Sequence, residues 1–294
     1  MPWYQLDDAN DPKLDELAKQ YNLHPLHIED VRTQDEGVKV DTAPHYTFAV
    51  FKPVHLVADP DNPGEQMLAF SPIDVFASND FLITISDPAC PSTQQALDRA
   101  RRDGDDDHPG KLLYLILDTI VDLYFSAIDH FDDRIDDLED QVFDNPSPEI
   151  LQSIFSIKRE LIDLRRVFVN TRDASLHLQR DPGTIIDADH QPFVRDTYDH
   201  IVRLLDSVET QRDLLNNTLD IYLSSVANRT NEVMKVLTVL GTIALPALAI
   251  SGIYGMNLKG LPFEDSPHGA EWVALITIIA TAVLLYILRK LKWL

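Results

Sequence analysis

Two groups of residues in this 294-residue chain have types and spacing that could do chemistry. The first is a short run at the end of an uncharged stretch, Gly252-Ile253-Tyr254-Gly255-Met256-Asn257. A side-chain amide offers a neutral carbonyl oxygen that accepts hydrogen bonds. Gly255 lets the backbone come close or turn sharply. The same letters also serve as an ordinary helix C-cap, with Asn closing the last turn and Gly in the C′ position. The second group is acidic. Asp122, Asp129, Asp132, Asp133, Asp136, Asp137, Glu139, Asp140 and Asp144 stand against the single Arg134. Residue by residue such a run is a solvated helix face; collectively it is a surface that attracts cations. The cluster Asp105-Asp106-Asp107-His108 reads as a flexible acidic loop before it reads as a metal site.

Enzyme chemistry finds no support. There is no Gly-rich phosphate loop, no Ser/His/Asp pattern, and the 10 histidines form no HExxH. One cysteine, Cys90, allows neither an intrachain disulfide nor a Cys-rich zinc ribbon. With 48 acidic and 25 basic side chains the net charge is −23, which opposes a nucleic-acid partner, since phosphates are neutralised by Lys and Arg. At 45 % hydrophobic residues the chain is too apolar for a disordered acidic tail. Its length suggests two domains. Met1 to Asp8 has no basic or apolar stretch, so no signal peptide is expected.

The charge is unevenly placed. Residues 231–294 hold Glu232, Glu264, Asp265 and Glu271 against Lys235, Lys259, Arg289, Lys290 and Lys292, a net of +1, which leaves −24 on residues 1–230. Within the near-neutral part, Val236 to Ile253 and Trp272 to Leu288 carry no charge and are long enough to span a bilayer core. Tyr254, Trp272 and Trp293 are interfacial types, and a proline such as Pro246 is tolerated in a membrane helix. Spans are therefore expected at about 234–253 and 272–288, with a loop at 254–271 and a tail at 289–294. Lys235 precedes the first span and Arg289, Lys290 and Lys292 follow the second, whereas the loop holds only Lys259. Positive-inside counting puts both termini in the cytoplasm of an inner-membrane-type protein.

The elements that must position these groups can be read in outline. Residues 1–110 read as an α+β cytosolic domain: helices at Asp11 to Tyr21 and Pro25 to Arg32, β-rich runs at Tyr46 to Val57 and Met67 to Ala77, a strand at Phe81 to Ser86 after a Ser78-Asn79-Asp80 turn, and a helix from Cys90 to Arg102. Residues 111–232 read as long helices. Ile150, Ile154, Ile157, Leu161, Leu164 and Phe168 make one seam. Ile201, Leu205, Val208, Leu215, Leu219, Tyr222 and Val226 make another, with a missed beat at Arg212. Asn145-Pro146-Ser147-Pro148 and Asp181-Pro182-Gly183 mark breaks. From Pro192 to Ile253 no loop signal interrupts apart from Pro246, so one helix of roughly 90 Å is expected to run from the long-helix region into residues 233–294. Such seams want partner helices, and self-association is the economical expectation.

The run IYLSSVANRTNEVMKVLTVLGTIALPALAISGIYGMN, from Ile221 to Asn257, resembles the CorA family of divalent-cation channels, whose signature is Gly-Met-Asn at the outer end of the first of two C-terminal spans. Lys292-Trp293-Leu294, His24-Pro25-Leu26 and Glu29-Asp30-Val31 also fit. The resemblance implies a funnel-shaped homopentamer in membrane lipid that carries Mg²⁺ and Co²⁺. It implies a selectivity filter of Gly255, Met256 and Asn257, in which a ring of Asn257 carbonyls hydrogen-bonds the water shell of the ion without stripping it. It implies a pore line of Asn231, Met234, Leu237, Leu245 and Leu248, with a dry constriction at Met234 and Leu237. Where relatives often have Met-Pro-Glu, this chain has Leu261-Pro262-Phe263, followed by Glu264 and Asp265, which could still concentrate cations.

Regulation follows from the same likeness. Five chains of −23 would carry −115, a self-repulsion that divalent cations between subunits would relieve. Cytosolic Mg²⁺ is therefore expected to hold the assembly closed, on an inter-subunit site made by Asp196 and Asp87. Two other readings compete: a proton-linked Zn²⁺ importer of the same superfamily, and a membrane metal sensor that moves no ion.

Overall fold

The structure, a computed structural model, describes residues 1–34, 37–58, 66–104, 108–181, 185–256, 260–263 and 266–291, with only the backbone at position 144. It divides into two compact units, Met1–Asp220 and Ile221–Leu294.

In the first unit, two prolines set the strand boundaries. Pro53 and Pro72 lack the N–H that a continuing ladder needs. The run at Tyr46 to Val57 accordingly splits into β3 (Tyr46–Phe51) and β4 (Val54–Ala58), and the run at Met67 to Ala77 into β5 (Gln66–Phe70) and β6 (Ile73–Ala77). β7 (Leu82–Ser86) pairs antiparallel with β6 across the expected turn, Ala77 opposite Leu82. Two short strands of mixed composition complete the sheet: β1 (Trp3–Leu6), parallel to β7, and β2 (Lys39–Ala43), antiparallel to β3. The order is β1-β7-β6-β3-β2, while β4 and β5 form a separate hairpin. β3, β6 and β7 are buried at every position, which explains their near-continuous apolar sequence.

Helices α1 (Pro12–Gln20) and α2 (Pro25–Thr33) each begin at a proline, with a capping side chain before it. Asp11 accepts from the Lys13 N–H at 2.9 Å, and His24 Nδ1 from the Leu26 N–H at 3.2 Å. Leu14, Leu17, Ile28 and Val31 join Phe48, Val50, Phe76, Ile83 and Ile85 in one core. Each such side chain contributes about 1.5–3 kcal/mol by leaving water. α3 (Pro91–Asp103) packs on α4 (Pro109–Asp144), and α4 reaches β4 and β6.

α5 (Pro148–Arg180) follows the expected Asn145–Ser147 break, and its seam from Ile150 to Phe168 is buried throughout. α6 (Gln191–Tyr254) is one helix of 64 residues that begins in the first unit and ends in the second. In the first unit its buried stripe is Val194, Thr197, Ile201, Leu204, Val208, Gln211, Leu215 and Thr218. The missed beat is taken by Gln211, and Leu204 and Thr218 take the places expected for Leu205 and Leu219. Polar partners fix the register. Thr197 donates to Asp118 at 3.4 Å, Gln211 to Asp132, and Thr218 to Glu139 at 3.1 Å, each pair 79 positions apart. A constant separation means that α4 and α6 run parallel.

In the second unit, α6 ends at Tyr254 and α7 spans Gly269–Lys290. Both contain windows long and apolar enough to cross a membrane. Their large apolar side chains are exposed, among them Ile253, Ile276, Ile278, Val283 and Ile287. Exposure on that scale is that of a lipid-facing or partner-facing surface.

Candidate pore helix and acidic metal-attracting face

The membrane part of α6 has two unlike faces. Val239 and Pro246 are buried and Thr242, Ile243 and Ile250 half-buried, a spacing that makes one stripe of a 3.6-residue helix. Met234, Leu237, Leu245 and Leu248 lie on the opposite face, 57 %, 64 %, 62 % and 69 % exposed. Gly241 and Gly252 share that face and are exposed, with nothing near a Cβ at either. Asn231 is exposed about a quarter-turn away from this line. In α7 the half-buried stripe is Val273, Thr277, Ala280, Thr281 and Leu284, ending on the buried Leu288.

At the C-terminal end of α6, the Gly255 N–H donates to the Ser251 carbonyl at 2.8 Å and the Met256 N–H to the Ile253 carbonyl at 3.2 Å. The helix thus tightens and stops here. A Cβ on residue 255 would stand 3.0 Å from the Ser251 oxygen, a tight contact. Met256 is 57 % exposed. Asn257, Glu264 and Asp265 lie outside the described residues, as do Asp105 to Asp107.

Asp196, near the start of α6, is 70 % exposed at its side chain, and its Oδ2 is 3.6 Å from His200 Nε2. The next residue, Thr197, is buried and donates to Asp118. Asp118 is paired with Arg99 of α3 at 2.8 Å, and Arg99 also reaches Asp122 at 2.9 Å. Burial, then the neighbouring Asp122 charge, pushes the Asp118 carboxyl above the usual carboxylate range, although Arg99 opposes this. The turn that carries Asp196 is therefore anchored to α3 and α4 through Thr197, with its own carboxylate left outward.

Asp87 follows β7. Its Oδ1 accepts from the Ala89 N–H at 2.8 Å, and its carbonyl from the Thr93 hydroxyl at 3.0 Å, so it organises the start of α3. It borders a cavity of about 370 Å³ together with Asp7, Asp8 and Asp74. Asp74 is buried, and loss of water, helped by Asp30, pushes its carboxyl up to about 7. Among the described residues no three Asp, Glu, His or Cys side chains are gathered closely enough to clasp one metal ion, so neither Asp87 nor Asp196 has a complete ligand set there.

The acidic run of α4 is not uniform. Asp122 is spent on Arg99, Asp132 on Gln211 and Glu139 on Thr218. Arg134, its single base, is paired inward with Glu160 of α5 at 2.9 Å, where Glu160 is 7 % exposed and also accepts from the Leu68 N–H at 3.1 Å. Asp129, Asp133, Asp136, Asp137 and Asp140 remain as the outward face. Apolar periodicity does not single out the polar seam residues Thr197, Gln211 and Thr218. Their signal is the heptad spacing of 197, 211 and 218 against 118, 132 and 139.

The chain matches the family model described as CorA-like Mg2+ transporter protein over residues 1–290. It is 34 % identical over 280 residues to the cobalt/magnesium transport protein CorA of Thermotoga maritima, covering 95 % of this chain and 79 % of that one. Its fold is similar to the complete structure of the CorA magnesium transporter from Methanocaldococcus jannaschii, with a TM-score of 0.83 at 24 % identity over 99 % of this chain and 91 % of the other. It is also 24 % identical over 188 residues to the zinc transport protein ZntB of Pectobacterium carotovorum, covering 63 % of this chain and 56 % of that protein. An α+β domain, long helices, two C-terminal apolar helices and a family match along almost the whole length agree with one another: the chain belongs to the CorA-like Mg2+ transporter family, whose members are transporters and not enzymes.

Proposed function

We propose that the protein is a homopentameric channel that carries Mg²⁺, with Co²⁺ as a second substrate, into the cell across the cytoplasmic membrane, both termini lying in the cytoplasm. The observation that carries this reading is the face of α6 made by Met234, Leu237, Leu245 and Leu248, exposed opposite the buried stripe of the same helix. Five copies of that face around an axis make a narrow apolar pore. Met234 and Leu237 form its dewetting constriction and Asn231 a polar ring beside it. The outer faces of both helices meet lipid.

At the outer end, Gly255 and Met256 turn the chain, and a ring of Asn257 carbonyls bonds the water of a hydrated ion. Neutral dipoles hold the ion weakly enough to release it. Glu264 and Asp265 raise the local cation concentration. Residues 1–110 and 111–232 sense cytosolic Mg²⁺, and residues 233–294 conduct. Asp196 and Asp87 bind regulatory Mg²⁺ between subunits. Their exposure, and the lack of a three-ligand cluster among the described residues of one chain, fit an ion that is shared and keeps part of its water. Removing that ion restores repulsion between acidic faces and favours the open state, which is the differential binding that a ligand switch requires.

The likeness to ZntB supports a second reading, a proton-linked Zn²⁺ importer. Ion uptake into liposomes holding the purified protein separates the two. Mg²⁺, Co²⁺ and Zn²⁺ are compared with and without a pH gradient, and Asn257→Ala serves as control. Potential-driven Mg²⁺ uptake abolished by Asn257→Ala is the expected result. Zn²⁺ uptake that depends on the proton gradient would move the protein to the second reading, and no flux of any ion would leave a membrane metal sensor.

A further inference from the structure

The side of α5 that faces away from its buried seam is not an ordinary polar surface. Phe155, Arg159, Ile162 and Arg166 follow one another at spacings of 4, 3 and 4, which sets them in one stripe of the helix. Phe155 is 43 % exposed and Ile162 48 %, and both arginines are exposed. Bases are scarce in this chain, 25 against 48 acids, and several are spent inside it. Arg99 is paired with Asp118, Arg134 with Glu160, Arg165 with Glu209 and Arg172 with Asp173. Arg159 and Arg166 make no ion pair among the described residues, and the exposed Asp163 lies toward the edge of their stripe. Guanidiniums beside an aromatic and a branched apolar side chain have the composition of an interface core.

α4 presents the counterpart. Asp129, Asp133, Asp136 and Asp140 are exposed and follow the same spacings of 4, 3 and 4, on the side away from Phe131, Ile135, Leu138 and Val142. Phe143, 69 % exposed, ends that stripe. The two stripes share a period and a length of about 16 Å and carry opposite charge. Arg159 and Arg166 stand seven residues apart, as do Asp129 and Asp136, and Asp133 and Asp140. We infer that the α5 stripe is a docking face for the acidic α4 stripe of a second copy of this chain. Such a contact is head-to-tail, the kind that closes a ring of identical subunits. Phe155 and Ile162 would keep water from ion pairs that contribute little when fully solvated. The inference rests on the reading that copies assemble, and on no property of ion transport.

Cross-linking of full-length protein in membranes tests it. Copies carrying Asp136→Cys and copies carrying Ile162→Cys, both with Cys90→Ser, are expressed together and treated with a short bis-maleimide. A two-chain product that needs both variants is expected. A product from Ile162→Cys copies alone would mean α5 against α5 and overturns the inference, as does the absence of any two-chain product. Adding Asp133→Arg and Asp140→Arg to the Asp136→Cys copies should lower the yield at least about fivefold, and adding Arg159→Glu and Arg166→Glu to the Ile162→Cys copies as well should restore it to within about twofold. General repulsion between acidic copies predicts the reverse for the first change, because it makes those copies less negative; a raised yield there overturns the inference. Should the charge-swapped copies fail to fold, the charge-neutral comparison of Asp136→Cys with Ile162→Cys decides. Ion flux is read in none of these arms, so failure of the transport reading leaves the outcome intact.

Discussion

The side-chain amide of Gln211 donates to the carboxylate of Asp132, a residue 79 positions earlier on a parallel helix. Gln211 is 3 % exposed, and its own Oε1 has no partner. A half-satisfied buried amide holds register at a cost in stability. Thr197 and Thr218 repeat the relationship with Asp118 and Glu139 at the same separation. A slip of α6 along α4 by one turn would leave three polar side chains facing apolar ones.

Gln211→Leu removes the unpaired oxygen and fills the same seat, so the full-length protein is expected to melt no lower than wild type, and up to about 1 kcal/mol more stable. Gln211→Ala leaves a cavity and is expected to cost about 2 kcal/mol or more. Thermal unfolding in detergent checks both. A large loss in Gln211→Leu would show that the polar rung contributes stability and not merely register.

Asp74 gives a pH dependence with a definite sign. Its carboxyl is pushed up to about 7 by burial, against an ordinary value of 3.8. The folded chain keeps a proton that the unfolded chain has already lost, so stability falls as pH rises from about 4 to about 7 and is flat beyond. Asp74→Asn is always neutral and escapes that fall. Its advantage over wild type should be larger at pH 8 than at pH 5, growing by at most on the order of 3 kcal/mol, since a tenfold difference in proton affinity is worth about 1.4 kcal/mol. Melting temperatures of the two proteins at those pH values test this, and a constant difference would contradict it.

The pair Arg134–Glu160 predicts non-additivity. Removing the guanidinium in Arg134→Met leaves a carboxylate that is 7 % exposed with the Leu68 N–H as its hydrogen-bond donor among the described residues. Breaking a buried pair in this way costs about 3–5 kcal/mol, whereas replacing both partners by apolar groups is often nearly neutral. Arg134→Met is expected to be clearly less stable than Arg134→Met combined with Glu160→Met. A double-mutant cycle on urea unfolding of the full chain measures the coupling.

Much of this architecture is legible in the sequence, and the exceptions have physical causes. Helix starts are marked by Pro12, Pro25, Pro91 and Pro148, and the buried seam from Ile150 to Phe168 stands out because every member is apolar. Apolar periodicity places the stripe of α6 one residue off at Leu219, because its true members Gln211 and Thr218 are polar and leave no trace in such a pattern, and at Leu205, because two adjacent leucines fit the pattern equally well. β1 and β2 are short and edge the sheet, so their composition is mixed. The site is visible in its apolar spans and in the Gly255-Met256 turn. Pairings such as Arg99 with Asp118 are hidden, because they are made by packing between distant segments.

Asp196 carries the regulatory proposal, and its surroundings allow a clean test. The carboxylate is 70 % exposed and close to His200, while the adjacent Thr197 anchors the helix through Asp118 and Arg99. Asp196→Ala therefore removes charge without disturbing the anchor, and the melting temperature without divalent ions is expected to stay within the range of an ordinary surface change, about 0.5 kcal/mol. A ligand that binds one state stabilises that state by mass action, so millimolar Mg²⁺ should slow trypsin cleavage of the wild-type assembly and slow it less, or not at all, in Asp196→Ala. Thr197→Val provides the contrast: it weakens the anchor but keeps the carboxylate, so it should lower the melting temperature and retain Mg²⁺ protection. Equal protection of Asp196→Ala and wild type would remove Asp196 from the regulatory site and leave the exposed carboxylates Asp129, Asp133, Asp136, Asp137 and Asp140 of α4 to be substituted next.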